Sequence, residues 1–363
     1  MSRAWAEIDL AALENNVRVL RSMLPEHTRL MPAVKANAYG HDEVLIARKL
    51  NALGIDSFCA ACAEEGVRLR RGGVRGEILI LGYTAPEEFY LLKKYKLSQT
   101  VVDQEYAKLL CGKGKFRVHI GVDTGMHRLG IPWDNFDEIA ELFLSGNLLI
   151  DGIFTHLAAD DTAEGKDREF TEIQAARFRQ VTGGLNSLGF YPKTHLQSSL
   201  GVLNYPELAA DYARTGLALY GCVDGEIGKA LLPVLSLKAR VSSVRTVLRG
   251  ESIGYGTGFV ADRDMKIAAL TIGYADGLPR ALSDGIGAVL INGKRAPVVG
   301  KVCMDQAMVD VSGIDVSQGD TAVVIGVSSD EKITACEIAR LCGTIPNEIL
   351  VGIGERVKRM IRI

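Results

Sequence analysis

The stretch LMPAVKANAYGHD, residues 30–42, sets an apolar, strand-like run directly against a lysine, Lys35, and follows it with small residues and Tyr39. A buried strand that ends on an ammonium group and opens into a small-residue loop is what the C-terminal mouth of a parallel barrel presents to a ligand. Taken alone, Lys35 also reads as a lysine whose stem packs while its amine reaches water. A partly desolvated lysine has a lowered pKa and can become a Schiff-base nucleophile.

Outward from this stretch the same alternation continues. Apolar runs recur near 30–35, 57–62, 77–82, 99–102, 116–122, 149–156, 194–198 and 212–216, and helix-like segments such as 41–53, 63–71, 134–145 and 167–188 lie between most of them. Eight short strands with helical connections predict a parallel sheet. Their span predicts a (β/α)8 TIM-type barrel domain over 7–228, which begins with a helix over 9–24. No G-x-G-x-x-G opens a βα unit, which argues against a dinucleotide fold. Polar residues cluster at the predicted strand ends: Lys35, His156, His195 with Ser198-Ser199, and Arg214-Thr215-Gly216, with His119 inside the fifth strand. Near 230 the chain becomes rich in Val, Thr and Gly, and we expect a mainly β domain over 229–363 that also takes residues 1–6. Asn292-Gly293 between apolar runs signals a hairpin, and a helix is expected over 333–342, ending near Gly343.

The bulk numbers bound the partners. The chain has 363 residues, 47% hydrophobic and 24% charged, with a net charge of −2. That balance points to neither nucleic acid nor an acidic membrane as a partner. Seven cysteines in a chain of this length form no disulfide framework, which suits a reducing, cytoplasmic setting. Cys59 and Cys62 read as core cysteines at a strand–helix junction, and no metal set is expected. No apolar run is long enough to span a membrane. The chain is therefore read as cytoplasmic, either by itself or as the cytoplasmic part of a membrane-anchored parent.

Seven blocks carry a resemblance. AVKANAYGHD (33–42), VDTGMHRLG (122–130), GIFTHLAAD (152–160), ARTGLALYG (213–221), SIGYGTGF (252–259), IGYADGLPR (272–280) and VGKVCMDQAMVDV (299–311) resemble the alanine racemase family in the family's order. The resemblance implies a barrel plus β domain and pyridoxal 5′-phosphate bound as an aldimine at Lys35. It further implies that Tyr39, Ser199 and the Gly216 and Leu217 backbone face the phosphate, although Ser198-Ser199 alone reads equally as a helix cap. Arg214 would face the pyridine nitrogen. Arginine stays protonated and cannot readily give that nitrogen a proton. Lys35 and Tyr255 resemble the two catalytic bases, with Tyr255 supplied by the other subunit of a homodimer. A phenol base must be tuned toward working pH, and His156 and Arg214 resemble its supporting network. Arg128, Tyr274 and the Met304 N–H resemble substrate-site groups, with Asp305 near the entrance.

Two positions depart from the family pattern. Gly121 stands where many members carry a lysine that becomes a carbamate and orients the arginine. Asn347, in TIPNEILVGIG, stands where alanine racemases usually have a tyrosine. A smaller amide that both donates and accepts hydrogen bonds would suit a hydroxylated substrate. The swap resembles the serine/alanine racemase catalytic domain of vancomycin-resistance systems, which supplies D-serine for modified peptidoglycan precursors. The alternatives are an alanine racemase supplying D-alanine, or an Asn347 that is only a turn residue.

Overall fold

The computed structural model describes residues 2–225 and 227–362. The chain divides into two compact units: Glu14–Ala38 with Glu43–Leu219, and Met1–Leu13 with Tyr39–Asp42 and Tyr220–Ile363.

The first unit contains eight parallel strands: Arg29–Leu30, Ser57–Ala60, Glu77–Ile80, Ser98–Val101, Arg117–Asp123, Leu149–Phe154, Lys193–His195 and Tyr212–Ala213. From the second strand on, each pairs with the next in this order, and the eighth pairs with the first. The ring closes where the Cys59 N–H donates to Pro32 O at 2.8 Å and the Val34 N–H to Cys59 O at 2.9 Å. The result is an eight-stranded barrel, as the spacing of the apolar runs predicts. Parallel strands covered by helices are buried on both faces, so they read as continuous apolar runs rather than alternating ones. Ile78, Leu79 and Ile80 show it, each fully buried. Helices Glu43–Ala52, Ala63–Arg71, Phe89–Lys94, Gln104–Gly112, Phe136–Ser145 and Gly165–Ser187 lie between the strands. The start of Gln104–Gly112 is fixed by Asp103, whose side chain accepts the Tyr106 N–H at 2.7 Å.

The second unit is built on a nine-stranded sheet. Its long strand, Leu235–Val247, alternates buried and half-buried positions over most of its length, the period-two pattern of a sheet with one covered face. It pairs antiparallel with Ala4–Ile8, Met265–Leu270 and Thr321–Ser328, and Lys358–Ile361 adds in parallel to Ala4–Ile8. Strands Ala288–Ile291 and Lys294–Val299 are joined by Asn292 (φ 48°) and Gly293 (φ 76°). Two successive positive φ values are the signature of a type I′ hairpin turn. Helix Ala335–Cys342 begins at Thr334, whose hydroxyl accepts the Glu337 N–H at 3.0 Å, and ends at left-handed Gly343. A further helix, Pro346–Val351, with proline at its first position, has no counterpart among the elements expected from the sequence. Six residues are too few for a helical period to show. No helix among the described residues is long and apolar enough to cross a membrane.

Candidate active site

The ladder that carries the first barrel strand continues irregularly through Ala33 and Val34, and Lys35 leaves it. Lys35–Gly40 then forms a left-handed helical turn. Ala36, Asn37, Ala38 and Tyr39 have φ of 51°, 55°, 52° and 52°, and Gly40 has 80°. Left-handed backbone costs an L-residue about 1–2 kcal/mol, so the surroundings must impose it.

Glu65 is one such constraint. It is buried, and its two carboxylate oxygens accept the Ala36 N–H at 2.7 Å and the Ala61 N–H at 2.6 Å. It thereby ties the residue after Lys35 to the loop after the second strand. Asn37 Oδ1 accepts the Glu43 N–H at 3.0 Å and braces the turn further along. Glu65→Ala would leave two backbone donors without their partner. We expect it to lower the unfolding free energy by about 2–4 kcal/mol, read as a shift of the urea midpoint. A midpoint within error of the native protein would remove Glu65 from this role.

Lys35, Arg128, His156 and Arg214 line one cavity of about 250 Å3, together with Gly121, Asp123 and Phe154. Burial lowers the Lys35 amine from its usual range, and the nearby Arg128 charge lowers it further. Arg214 is buried and sits in a set of neutral acceptors. One Nη donates to His195 Nδ1 at 2.6 Å, and the other to Thr155 O at 2.8 Å and His156 Nδ1 at 3.1 Å. Its guanidinium lies 5.0 Å from the centre of the Phe154 ring. Burial brings its pKa to about 10, which leaves it protonated at neutral pH. His156 falls to about 3, first through burial and then through the Arg214 charge. A neutral His156 whose Nδ1 accepts from Arg214 carries its proton on Nε2.

Gln174, on the long helix, fixes the His156 segment. Its amide nitrogen donates to His156 O at 3.1 Å and its oxygen accepts the Ala158 N–H at 2.8 Å. Asp123, at the cavity wall, accepts the Gly125 and His127 N–H groups. Burial alone would raise that carboxyl, but these donors hold it below its usual value. A Cβ at Gly121 would meet Val101 O at 3.1 Å, so a side chain there would need its neighbours to give.

Ser199, Gly216 and Leu217 lie apart from that lining but belong together. The Ser199 hydroxyl accepts the Gly216 N–H at 2.8 Å and the Ala218 N–H at 3.1 Å. The helix-cap alternative falls on the neighbouring serine: Ser198 Oγ accepts the Leu200 and Gly201 N–H groups and donates to Asp160 at 2.5 Å.

The remaining candidates belong to the second unit. Tyr39 is buried against Tyr220, with ring centroids 5.1 Å apart, and its carbonyl accepts from His41 Nδ1 at 2.8 Å. Gly40 next to it has no alternative: a Cβ there would lie 2.3 Å from Leu350 O. Tyr255 and Met304 line an open concavity of about 960 Å3, and Tyr255 is 72% exposed. Tyr274 lies beside Met304 in the chain's fold: its N–H donates to Cys303 O at 3.0 Å, and the Ala275 N–H to Met304 O at 3.0 Å. Asp305 pairs with Arg356 at 2.8 Å. Asn347 is half-buried in the first turn of helix Pro346–Val351, so it is a helical residue and not part of a loop turn.

Comparison with known proteins agrees with these blocks. Residues 8–224 match the alanine racemase N-terminal domain, and residues 234–361 the alanine racemase C-terminal domain. An amino-acid racemase of Enterococcus faecalis is 39% identical over 98% of this chain and 51% of its own length, so the chain spans about half of that relative. An alanine racemase of Halothermothrix orenii is 40% identical over 98% of this chain and 96% of its own. A serine/alanine racemase of Enterococcus gallinarum is 36% identical over all of this chain and 52% of its own. Among solved structures, alanine racemase of Clostridium difficile 630 superposes with a TM-score of 0.93 at 32% identity, covering 100% of this chain and 96% of that one. The Bartonella henselae alanine racemase, which holds covalently bound pyridoxal phosphate, superposes with a TM-score of 0.88 at 30% identity over the whole of both chains. Matched over both of its domains, the chain belongs to the alanine racemase family, a family of pyridoxal-phosphate enzymes.

Proposed function

We propose that the chain is an amino-acid racemase that interconverts L- and D-serine, with some alanine activity. The observation that carries racemisation is the cavity that sets a desolvated amine, Lys35, beside a buried arginine, Arg214, held by neutral partners. These residues fit pyridoxal phosphate. An amine with a lowered pKa suits an aldehyde, and Arg128 and Arg214 suit a phenolic oxygen and a ring nitrogen. Ser199 with the Gly216 and Leu217 backbone suits the phosphate. When bound, the cofactor acidifies the substrate Cα–H by taking up electron density.

The protein's own groups then divide the work. Lys35 holds or removes a proton on one face of Cα. Tyr255 of a second copy does so on the other face, which makes the working unit a homodimer with shared sites. His156, with its proton on Nε2, offers that phenol a donor. Arg214 remains a donor at the ring nitrogen, which limits electron uptake and so limits side reactions. Arg128 holds the substrate carboxylate, and the Met304 N–H, which shares a concavity with Tyr255, joins it from the second copy with Tyr274 at the entry.

Asn347 is the basis for serine. Its amide can pair with a substrate hydroxyl, and a site built to bond a hydroxyl discriminates far more strongly than one that merely admits it. The E. gallinarum relative supports this choice by its name, as the H. orenii relative supports the alternative, an alanine racemase. Role in glycopeptide resistance follows only if serine is the substrate. The test is racemisation of L-serine and L-alanine side by side, for the native chain and for Asn347→Tyr. We expect the serine-to-alanine ratio of kcat/KM to fall by about 10- to 100-fold in the variant. Equal preference for alanine in both proteins would leave Asn347 incidental.

A further inference from the structure

Arg214 is the most buried cation of the cavity, yet among the described residues no carboxylate is one of its hydrogen-bond partners. Its Nη bond to His195 continues. His195 Nε2 lies 2.7 Å from His119 Nδ1, and His119 Nε2 lies 2.9 Å from Glu77 Oε1. The four residues come from different strands: Glu77 begins the third barrel strand, His119 lies inside the fifth, His195 ends the seventh and Arg214 follows the eighth. The line therefore runs through the barrel interior, from the N-terminal ends of the strands to the C-terminal ends. Both histidines are fully buried.

One protonation pattern satisfies every link. A guanidinium only donates, so His195 Nδ1 accepts. Neutral His195 then carries its proton on Nε2 and donates to His119 Nδ1. His119 must carry its own proton on Nε2, and it donates to the carboxylate. The line has a direction, and it is fixed at both ends by groups that cannot reverse: a cation that never accepts and an anion that never donates.

Two further observations show that the fold reserves this path. A Cβ on Gly152, the residue paired with His119 in the neighbouring strand, would lie 2.4 Å from His119 Nδ1. Phe154 stacks on His195 with centroids 4.8 Å apart and planes 9° apart, and the Arg214 guanidinium lies over the same ring.

We propose that Glu77, His119 and His195 are positioning residues for Arg214, forming a directed hydrogen-bond chain that holds the guanidinium and supplies its remote counter-charge. The chain itself stands apart from the functional reading. Its effect on catalysis rests on that reading of Arg214. Burial would raise the Glu77 carboxyl, but the His119 and Ser98 bonds and the Arg117 charge together hold it below the usual carboxylate value. Burial together with the Arg214 charge keeps His195 neutral.

The test uses Glu77→Met, which keeps bulk and removes the terminal acceptor, and Glu77→Gln, whose amide oxygen can still accept. Nitrogen-15 NMR of the cofactor-free protein, which has only six histidines, reads the tautomers directly. We expect single Nε2–H tautomers for His119 and His195 in the native protein and in Glu77→Gln, and mixed or exchange-broadened signals in Glu77→Met. In the loaded enzyme, Glu77→Met is expected to raise the loss of cofactor to side reaction per racemisation turnover by about tenfold, with Glu77→Gln near native. Native-like tautomers in Glu77→Met, or Nδ1–H on His195 in the native protein, overturn the chain. If the tautomers shift as expected but side reaction does not, Arg214 is not positioned through it. Absence of racemase activity in the native protein sinks the functional reading and leaves the tautomer result standing. Gly152→Ala, which crowds His119 without touching a polar group, should reproduce the Glu77→Met pattern; a native pattern there would also count against the chain.

Discussion

Lys35→Ala is expected to lose the visible absorbance of bound cofactor and to lower kcat for both enantiomers by on the order of 10^4-fold or more. In the proposed mechanism one amine has two roles: it would anchor the cofactor and, when released, move a proton at Cα. A positioned acid–base group alone contributes about 10^2- to 10^4-fold, and loss of the covalent anchor comes on top of that. The geometry makes the site intolerant of a substitute. Lys35 stands at the end of the first barrel strand, immediately before a left-handed turn that Glu65 clamps at the next N–H. Burial lowers its amine from the usual lysine range, which favours the free base. Lys35→Arg keeps a cation there but neither a usable nucleophile nor a base, and it should be as inactive as alanine. Added methylamine can replace the base but not the tether, so partial rescue of kcat in Lys35→Ala, without return of tight cofactor binding, would separate the two roles. Undiminished racemisation by Lys35→Ala would remove this lysine from the mechanism.

The barrel was legible because its strands are buried on both faces and read as apolar runs even where the ladder is only two residues long, as at Arg29–Leu30 and Tyr212–Ala213. The polar residues set inside or at the end of such runs, His119, His195 and Arg214, were legible for the same reason: a strand that is otherwise apolar leaves a polar side chain conspicuous. The left-handed turn was not. Positive φ is normally announced by glycine, and residues 36–39 contain none; only Asn37 is of a type that tolerates it readily. Glu65 was equally hidden, because its partners are backbone N–H groups, which no sequence pattern marks. Gln174 sits mid-helix, where a buried amide looks like any polar residue on a solvated face. Helix Pro346–Val351, which carries Asn347, was too short to declare itself.

Tyr255→Phe is expected to lower racemisation by about 10^2- to 10^4-fold, the range for removing one positioned acid–base group, while leaving cofactor absorbance intact. Tyr255 is 72% exposed on the isolated chain, lining the same open concavity as Met304. An exposed phenol of this kind is what a site completed by a second copy requires. Phenylalanine keeps the ring and removes only the hydroxyl, so a change in folding is not expected. The two variants together give a sharper test than either alone. If Lys35 and Tyr255 of one site come from different subunits, mixing Lys35→Ala with Tyr255→Phe under exchange gives heterodimers with one intact site and one doubly damaged site. Random pairing in a two-fold dimer makes half the dimers mixed, so activity should return to about a quarter of native. If both residues of a site came from one chain, every site in the mixture would carry one lesion and no activity would return. Solvent-deuterium exchange adds the stereochemical half. Tyr255→Phe should still exchange Cα–H of the enantiomer that presents its hydrogen to Lys35, and should lose exchange of the other. Equal loss with both enantiomers would mean that the phenol positions substrate and is not the second base.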